Sequence, residues 1–219
     1  MMNDHEESNQ SYEGKEENST LEIRLLKESD IPEIKQLFIQ LFPVSYNDEY
    51  FKHYFIENLL CIVLVEHIKD TSEIIGVSVI RRKWKNLYST ARTAYLCSFG
   101  IKNDHRKKGL GTDLLKFSIN IVFCYYRIET LDLHVQAINT AAVQFYLSLG
   151  FKKIKKLDSY YHLHENESPE NDAYYMIIDT SLYKNKLTYK NNFVISPDLI
   201  YLQTHHQEIS WWKSLFSYP

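Results

Sequence analysis

The chain has 219 residues, of which 44% are hydrophobic and 24% charged, so it can form a globular core as one domain with tails or as two small domains. Its net charge of −3 at pH 7 gives no general electrostatic reason to expect a specific nucleic-acid partner. The three cysteines lack the spacing of metal ligands, and their odd number does not suit a disulfide framework. We therefore expect no metal site and a reducing compartment, the cytoplasm. We find no stretch with the length and hydrophobicity of a membrane-spanning helix.

The first part of the chain predicts a tail, a strand and two helices. Residues 1–20 are polar and acidic and cannot bury enough apolar surface to offset chain entropy, so we expect a disordered tail. Apolar and polar residues alternate at 21–26, which predicts a strand. Asp30 is placed to cap a helix that Pro43 ends, and a second short helix is expected to run to about Ile56.

The middle of the chain predicts a sheet with crossing helices. Two apolar runs, 59–65 and 74–81, flank a short polar segment and predict a hairpin. Further strands are predicted at 93–101, 130–135, 151–157 and 173–179, and helices at 109–126 and 139–149. This order predicts an α/β domain over residues 21–182, with a mixed central β-sheet and helices on both faces, followed by a C-terminal extension at 183–219.

The most informative motif is the basic, glycine-containing run at 106–112, which lies between a predicted strand and a long predicted helix. Glycines let backbone N–H groups turn towards an anion, and a helix N-terminus adds partial positive charge. The two glycines and the three basic residues before them therefore predict a pyrophosphate cradle. The alternative is an ordinary strand-to-helix loop with a solvated basic run. The run is neither a Walker loop nor a dinucleotide fingerprint, because it lacks the Lys-Ser/Thr pair of the first and the third glycine of the second.

This run matches the R/Q-x-x-G-x-G/A signature of the GNAT superfamily, and residues 21–180 as a whole resemble a GNAT fold. The segments that resemble the second half of that fold are Leu133–Gln136, Asn139, Phe145-Tyr146 and Gly150-Phe151. More narrowly, the chain resembles the NatE and NatF catalytic subunits, N-alpha-acetyltransferases that act on hydrophobic N-termini retaining their initiator Met. The residues that carry this narrower resemblance are Phe42–Tyr46, Tyr95, Leu133–Val135 and Tyr160-Tyr161.

The chain combines features of both subunits and departs from each. The loop after the first helix is most similar to NatE, whereas the start of the domain and the long C-terminal extension are more similar to NatF. Lys107 and Lys108 replace a loop richer in arginine, which keeps the charge but loses bidentate geometry. Phe99 is bulkier than the usual aliphatic residue. The loop 83–92 and the loop after Tyr161 are longer than in NatE, and both flank the expected peptide groove.

The resemblance implies two candidate bases, Tyr95 and His134, and one candidate acid, Tyr146. The reaction needs a neutral α-amine, which titrates near ~8, so a modest base suffices. His134 has a suitable intrinsic pKa, and Tyr95 could relay a proton through ordered water. The alternatives are a strand histidine with satisfied hydrogen bonds, a half-buried strand aromatic and, for Tyr146, packing on one helix face with its apolar neighbours.

The resemblance also implies acetyl-CoA as the cosubstrate, with no metal. The residues that it assigns to the cofactor are Phe99, Gly100, Ile101, Arg106, Lys107, Lys108, Gly109, Leu110, Gly111, Thr112, Asn139 and Tyr146. Backbone groups at 99–101 would meet the pantetheine arm and the charge that develops on the acetyl oxygen. The residues that it assigns to the peptide are Phe42, Pro43, Val44, Tyr46, Tyr160 and Tyr161. The alternative for the tyrosine pair is an aromatic cluster at a strand end.

Three functions fit the sequence. The first is transfer of acetyl from acetyl-CoA to the α-amine of hydrophobic, Met-starting protein N-termini by direct attack. The second is acetylation of lysine or of a small amine, the latter favoured by a closed acidic pocket. The third is a non-catalytic, acetyl-CoA-binding subunit of a ribosome-associated N-acetyltransferase complex, against which Tyr95 and His134 count.

The C-terminal extension is more apolar than an ordinary disordered tail. Trp211, Trp212 and Lys213 suit a membrane interface, where aromatic rings lie among headgroups and a cation stays hydrated. NatF-like enzymes are tethered to the cytosolic face of Golgi membranes, so the resemblance implies a peripheral membrane contact. The alternative is that the tail folds back and packs on the domain.

Overall fold

The computed structural model describes residues 19–42, 46–56, 59–83, 92–161, 171–183 and 190–204. The interpretations of residues 1–18 and 205–219, of Pro43 and Val44, and of most of the loops at 83–92 and after Tyr161 lie outside these residues. The strands are β1 (Ser19–Leu25), β2 (Leu59–Ile68), β3 (Thr71–Arg82), β4 (Thr93–Ile101), β5 (Thr130–Gln136), β6 (Lys152–Leu157), β7 (Ala173–Asp179) and β8 (Phe193–Ile195). The helices are α1 (Ile31–Leu41), α2 (Asp48–Ile56), α3 (Leu110–Cys124), α4 (Thr140–Ser148) and α5 (Pro197–Thr204).

In the described part of the chain the strands form one mixed sheet in the order β6-β7-β5-β4-β3-β2-β1-β8. Neighbours from β1 to β4 are antiparallel, and β2 and β3 form the predicted hairpin. The pair β4–β5 is parallel because α3 crosses over between them, and β7 lies antiparallel to both β5 and β6. The predicted α/β architecture with a mixed sheet is confirmed.

The two middle strands separate soon after they pair. β4 and β5 are in register over three pairs only, the last of which joins Tyr95 to Asp132. On its other side β4 carries an irregularity against β3, because Ile80 pairs with Leu96 while Val79 pairs with Ser98, which leaves Cys97 as the extra residue. Such a bulge bends and twists a strand. The rest of β4 therefore has no β5 partner on its inner edge, and a cleft opens between the two strands.

Helices cover both faces of the sheet, as predicted. α1 places Ile34, Leu37 and Phe38 against one face, where they pack with α2 and with side chains of β2 and β3. α3 and α4 cover the other face, where Phe117 is completely buried in the larger core cluster. Asp30 precedes α1, but its carboxylate accepts hydrogen bonds from Lys27 N and Arg24 instead of capping α1.

The segment after residue 190 joins the same sheet. β8 lies parallel to β1, and Ser196 N donates a hydrogen bond to Ile23 O at 3.0 Å. Leu199 on α5 is fully buried in the larger core. The sheet thus continues past residue 182, within the part of the chain that the sequence assigns to an extension. No helix among the described residues combines the length and the apolar character needed to cross a membrane.

Candidate active site

The predicted pyrophosphate cradle lies at the N-terminus of α3. Lys107 and Gly109 both have positive φ angles, 62° and 90°, and these turn the chain into the helix. The first hydrogen bond within the helix is donated by Asp113 N to Gly109 O, so the N–H groups of the first turn have no helical acceptor. Lys107 and Lys108 are exposed beside them. Backbone donors and cations converge here as an anion requires.

Two members of the run have roles that its pattern does not predict. The Arg106 side chain donates through Nε to Ile101 O at 2.9 Å, which ties the loop to the end of β4. Leu110 is buried in the core, so only its backbone faces the loop. Gly109 requires glycine for its left-handed backbone, whereas a Cβ on Gly111 would meet its nearest neighbours at 3.4 Å or more. The two glycines are therefore not equivalent.

The cleft between β4 and β5 continues from this loop. Phe99 stacks on Phe145 of α4 with ring centroids 5.6 Å apart, which explains how the strand accommodates a bulky residue there. A Cβ on Gly100 would lie 2.7 Å from Leu41 Cδ1, so a side chain there would require the Leu41 side chain to move. Asn139 caps α4 by accepting a hydrogen bond from Ala142 N at 3.1 Å, as expected.

Tyr146 lies at the edge of the larger core cluster, on the side of the cleft between β4 and β5. It is 9% exposed and packs edge-to-face against Phe145 and Phe151. Burial raises the pKa of its phenol, with a smaller contribution from Tyr161, so the hydroxyl stays protonated at neutral pH. Tyr161, which the sequence assigns to the peptide, therefore lies within electrostatic range of Tyr146. Packing and a proton-donor role are therefore compatible at this position.

The two candidate bases are in contact. Tyr95 and His134, 39 residues apart in sequence, lie on adjacent strands, and the Tyr95 hydroxyl is 3.1 Å from His134 Nδ1. Burial lowers the pKa of His134, with Lys83 acting in the same direction and Asp132 opposing it, so the imidazole is neutral at pH 7. Burial also raises the pKa of Tyr95, assisted by Tyr160. The pair is a neutral base joined to a protonated phenol.

Aromatic rings enclose the imidazole. Tyr160 stacks on His134 with ring centroids 4.2 Å apart and planes 11° apart, and Tyr175 lies on it at 5.0 Å. Tyr161 follows edge-to-face against Tyr160, and burial raises the pKa of Tyr161 to about 12. Tyr160 and Tyr46 also raise the pKa of Tyr161 through electrostatic interactions. Tyr46, in the loop after α1, therefore lies within electrostatic range of Tyr161.

The described residues of that loop form an apolar aromatic cluster. Phe42 and Tyr46 both pack edge-to-face on the buried Phe38, with ring centroids 4.9 and 5.1 Å away. Tyr50, which the sequence does not single out, lies 4.4 Å from Tyr46 and shares a hydrogen bond of 3.1 Å with the Ser98 hydroxyl. The structure thus brings Phe42 and Tyr46 to the same side of the sheet as the Tyr160-Tyr161 pair.

Residues 31–151 match the model of the Acetyltransferase (GNAT) family. The chain belongs to this family. A protein of Saccharolobus solfataricus named N-alpha-acetyltransferase is 30% identical over 120 residues, which are 48% of this chain and 72% of the relative. The fold is similar to that of Arabidopsis thaliana Naa50 in complex with the bisubstrate analogue CoA-Ac-MVNAL, at 24% identity and a TM-score of 0.56 over 73% of this chain and 99% of Naa50. It is also similar to Arabidopsis thaliana NAA60 in complex with acetyl-CoA, at 19% identity and a TM-score of 0.62 over the same shares of the two chains.

As a GNAT protein the chain is an acetyl-CoA-dependent acetyltransferase, and its residues fit that cosubstrate. The turn of α3 and the two lysines suit an anionic pyrophosphate. Beyond Tyr95 the inner edge of β4 has no β5 partner, which leaves room for an amide-bearing group such as pantetheine. Among the described residues no group of three or more His, Cys, Asp and Glu side chains could hold a metal ion.

Besides Tyr50, sequence reasoning misses Asp132, Lys83 and Tyr175, which lie around His134. Asp132 lies two positions before His134 on β5, so the two side chains point to the same face of the strand. Its carboxylate accepts hydrogen bonds from Lys83 Nζ at 2.5 Å and from the Tyr175 hydroxyl at 3.0 Å. The available signal was an acidic residue inside an otherwise apolar strand, at strand spacing from the candidate base.

Proposed function

We propose that this enzyme acetylates the α-amine of protein N-termini, with a preference for hydrophobic, Met-starting sequences. The observation that carries the proposal is the hydrogen bond between Tyr95 and His134, which lies where the pairing of β4 and β5 ends. A base so placed can meet an amine and a thioester together. The name of the Saccharolobus relative supports an α-amine as the acceptor.

The pair moves one proton. A peptide α-amine has an ordinary pKa near ~8 and is largely protonated at pH 7. Tyr95 donates its hydroxyl proton to Nδ1 of the neutral His134 and takes one from the amine, directly or through a water molecule. The freed amine nitrogen then attacks the carbonyl carbon of the acetyl group. Tyr95 acts as relay and His134 as the acceptor, because burial keeps the phenol protonated and the imidazole neutral before each turnover.

Backbone and phenol groups complete the reaction. Acetyl-CoA, when bound, supplies the activated acetyl group and leaves as a thiolate. We assign the inner edge of β4 at 99–101, which lies beyond the last β5 pair, to donate to the acetyl oxygen as negative charge develops on it. Burial keeps Tyr146 protonated, and we assign it to give its proton to the sulfur. As the amide forms, its nitrogen loses a second proton, which restores Tyr146 through solvent. The first proton, held by the Tyr95–His134 pair, is released to solvent.

The proposed pocket for the first residue is apolar and aromatic. Phe42 and Tyr46, which pack on the buried Phe38, would offer their rings, to which an unbranched thioether binds well. The analogue named with Arabidopsis Naa50 also begins with Met. Pro43 and Val44 are proposed to extend the same pocket.

A small-amine substrate is less well supported by these residues. Such a cation would need an accessible acidic group, but Asp132 beside His134 is 3% exposed and already paired with Lys83. A purely cofactor-binding subunit would have no use for the Tyr95–His134 hydrogen bond. Lysine acetylation shares the same chemistry and is separated by the assay below.

We place the enzyme in the cytoplasm, with N-acetyltransferase subunits at the ribosome as partners, and propose that its tail touches the cytosolic face of a membrane such as that of the Golgi. α5 buries Leu199 but leaves Ile200 47% exposed, so the docked helix still presents an apolar group to its surroundings. Flotation of the full chain with anionic liposomes, compared with a Trp211→Ser/Trp212→Ser variant, tests the contact. Equal flotation of the two, or none, would refute it.

The acceptor is tested by mass spectrometry with acetyl-CoA and four substrates. These are a Met-Leu peptide, a Ser-starting peptide of otherwise equal sequence, the Met-Leu peptide with a blocked N-terminus and an internal lysine, and a polyamine. We expect one acetyl group on the free Met-Leu amine and a slower reaction with the Ser peptide. A faster Ser reaction would remove the specificity but keep the acceptor. Acetylation of the blocked peptide or the polyamine alone would overturn the proposal.

A further inference from the structure

We propose that Asp132 and Lys83 form a positioning pair that holds Tyr175 and Tyr95 against the His134 imidazole and fixes the charge balance around it. The inference rests on the proposed role of His134 as the proton acceptor. Neither residue belongs to the motifs that assign the family, and neither touches the cofactor loop.

The first observation is a carboxylate buried inside the sheet. Asp132 is 3% exposed, and its Oδ2 atom accepts hydrogen bonds from both the Lys83 ammonium and the Tyr175 hydroxyl. Its Oδ1 atom is buried and has no hydrogen-bond partner among the described residues. A half-satisfied buried carboxylate costs stability, and a well-packed apolar side chain would avoid that cost. Groups kept at such a cost are concentrated at functional sites.

The second observation is what the two partners of Asp132 touch. The Tyr175 ring lies 5.0 Å from the His134 ring and pairs with it across β5 and β7. The Lys83 ammonium lies 5.7 Å from the centroid of the Tyr95 ring, whose hydroxyl meets His134 Nδ1. Asp132 Oδ2 therefore holds two groups in place, one against Tyr95 and one against His134. Loss of Asp132 would free both contacts at once.

The groups around His134 define the charge balance. The rings of Tyr160 and Tyr175 stack on its ring, and the Tyr95 hydroxyl meets its Nδ1 atom. The charged groups acting on it are the carboxylate of Asp132, which raises the pKa of His134, and the ammonium of Lys83, which lowers it. Removing one member leaves the other uncompensated, so the two single substitutions act in opposite directions.

The test uses the Asp132→Asn and Lys83→Met variants of the full chain. The midpoint of the His134 imidazole titration is followed by NMR without substrate, with signals assigned through a His134→Gln variant. In parallel, the pH profile of kcat is measured for a Met-Leu peptide. The matched controls are Glu73→Gln and Lys102→Met. Each breaks the surface ion pair between Lys102 Nζ and Glu73 Oε1, which are 2.6 Å apart and do not contact His134.

We expect the midpoint to fall by about half a unit in Asp132→Asn and to rise by a similar amount in Lys83→Met, since a unit charge about two strand positions away acts through a mixed dielectric. The acid limb of kcat should follow, and the controls should not move. The Lys83 side chain is 43% exposed, so Lys83→Met should fold. It therefore tests the proposal even if Asp132→Asn does not fold. Shifts in the same direction, or an unmoved midpoint in folded Lys83→Met, would overturn the proposal. A peptide that is never acetylated would refute the proposed function, while the NMR midpoints would still decide the electrostatic assignment.

Discussion

Replacement of Asp113 by asparagine is expected to loosen the C-terminal segment from the domain. The Asp113 carboxylate is 1% exposed and accepts hydrogen bonds from the backbone N–H groups of Lys190 and Asn191 and from the Asn191 side chain, the shortest at 2.8 Å. It thereby anchors residues 190–191 beside the first turn of α3, 77 positions earlier in the chain. β8 and α5 follow directly.

The expected loss can be worked from these contacts. Hydrogen bonds to a charged group contribute roughly 1.5–3 kcal/mol each. The loss of stability is smaller than their sum, because residues 190–204 can detach from the domain and their N–H donors can then bind water. It cannot exceed the free energy by which this segment packs on the domain, to which the burial of Leu199 contributes about 1.5–3 kcal/mol. We therefore expect Asp113→Asn to lower the free energy of unfolding by roughly 2–3 kcal/mol, or the melting temperature by about 4–12 °C.

A double-mutant cycle isolates the contact. Asp113→Asn is measured in the full chain and in a chain ending at residue 189, by denaturant titration. We expect the substitution to cost less than about 0.5 kcal/mol in the truncated chain, because its partners are gone. Equal costs in the two backgrounds would show that Asp113 stabilises α3 alone and that the 190–204 segment is not held by it.

Three further results are expected. Gly109→Ala should weaken CoA binding in calorimetry, because the alanine must adopt φ near 90° and its Cβ would lie 2.8 Å from Lys190. Gly111→Ala should bind CoA nearly as the wild type does, and equal affinities of the two variants would contradict this reasoning. Phe117→Ala should lower the free energy of unfolding by about 3–5 kcal/mol, since Phe117 is completely buried, and a loss below 1 kcal/mol by denaturant titration would refute the packing. The lowered pKa of His134 predicts that kcat is on its plateau at pH 7 and falls only as the pH drops below the ordinary imidazole value of ~6.5; a midpoint above that value would contradict the burial effect.

Local patterns were sufficient for most of the architecture. The spacing of Ile34, Leu37 and Phe38 gives α1, and the asparagine before α4 caps it as expected. The glycine run correctly places a turn at the start of α3, because such a turn is formed by consecutive residues, and its role as a pyrophosphate cradle stays a prediction. In each case the information lies within a few positions of the structure that it predicts.

Contacts between distant segments could not be predicted in this way. Asp113 and its partners at 190–191 are polar residues whose sequence surroundings resemble any exposed loop. Asp132 and Lys83 are 49 positions apart, and their pairing requires the register of β4 against β3 and β5. The cleft itself depends on a bulge at Cys97, and no alternation in β4 indicates an extra residue there.

The most direct test of the proposed reaction compares Tyr95→Phe and His134→Ala with the wild type in single-substrate kinetics on a Met-Leu peptide, with acetyl-CoA affinity measured by calorimetry. Both side chains are held in one hydrogen bond outside the cofactor loop. We expect kcat to fall by about 10² or more in each variant while acetyl-CoA affinity stays within about twofold of the wild type. Unchanged kcat in both variants would contradict the assignment of this pair as the proton acceptor and relay.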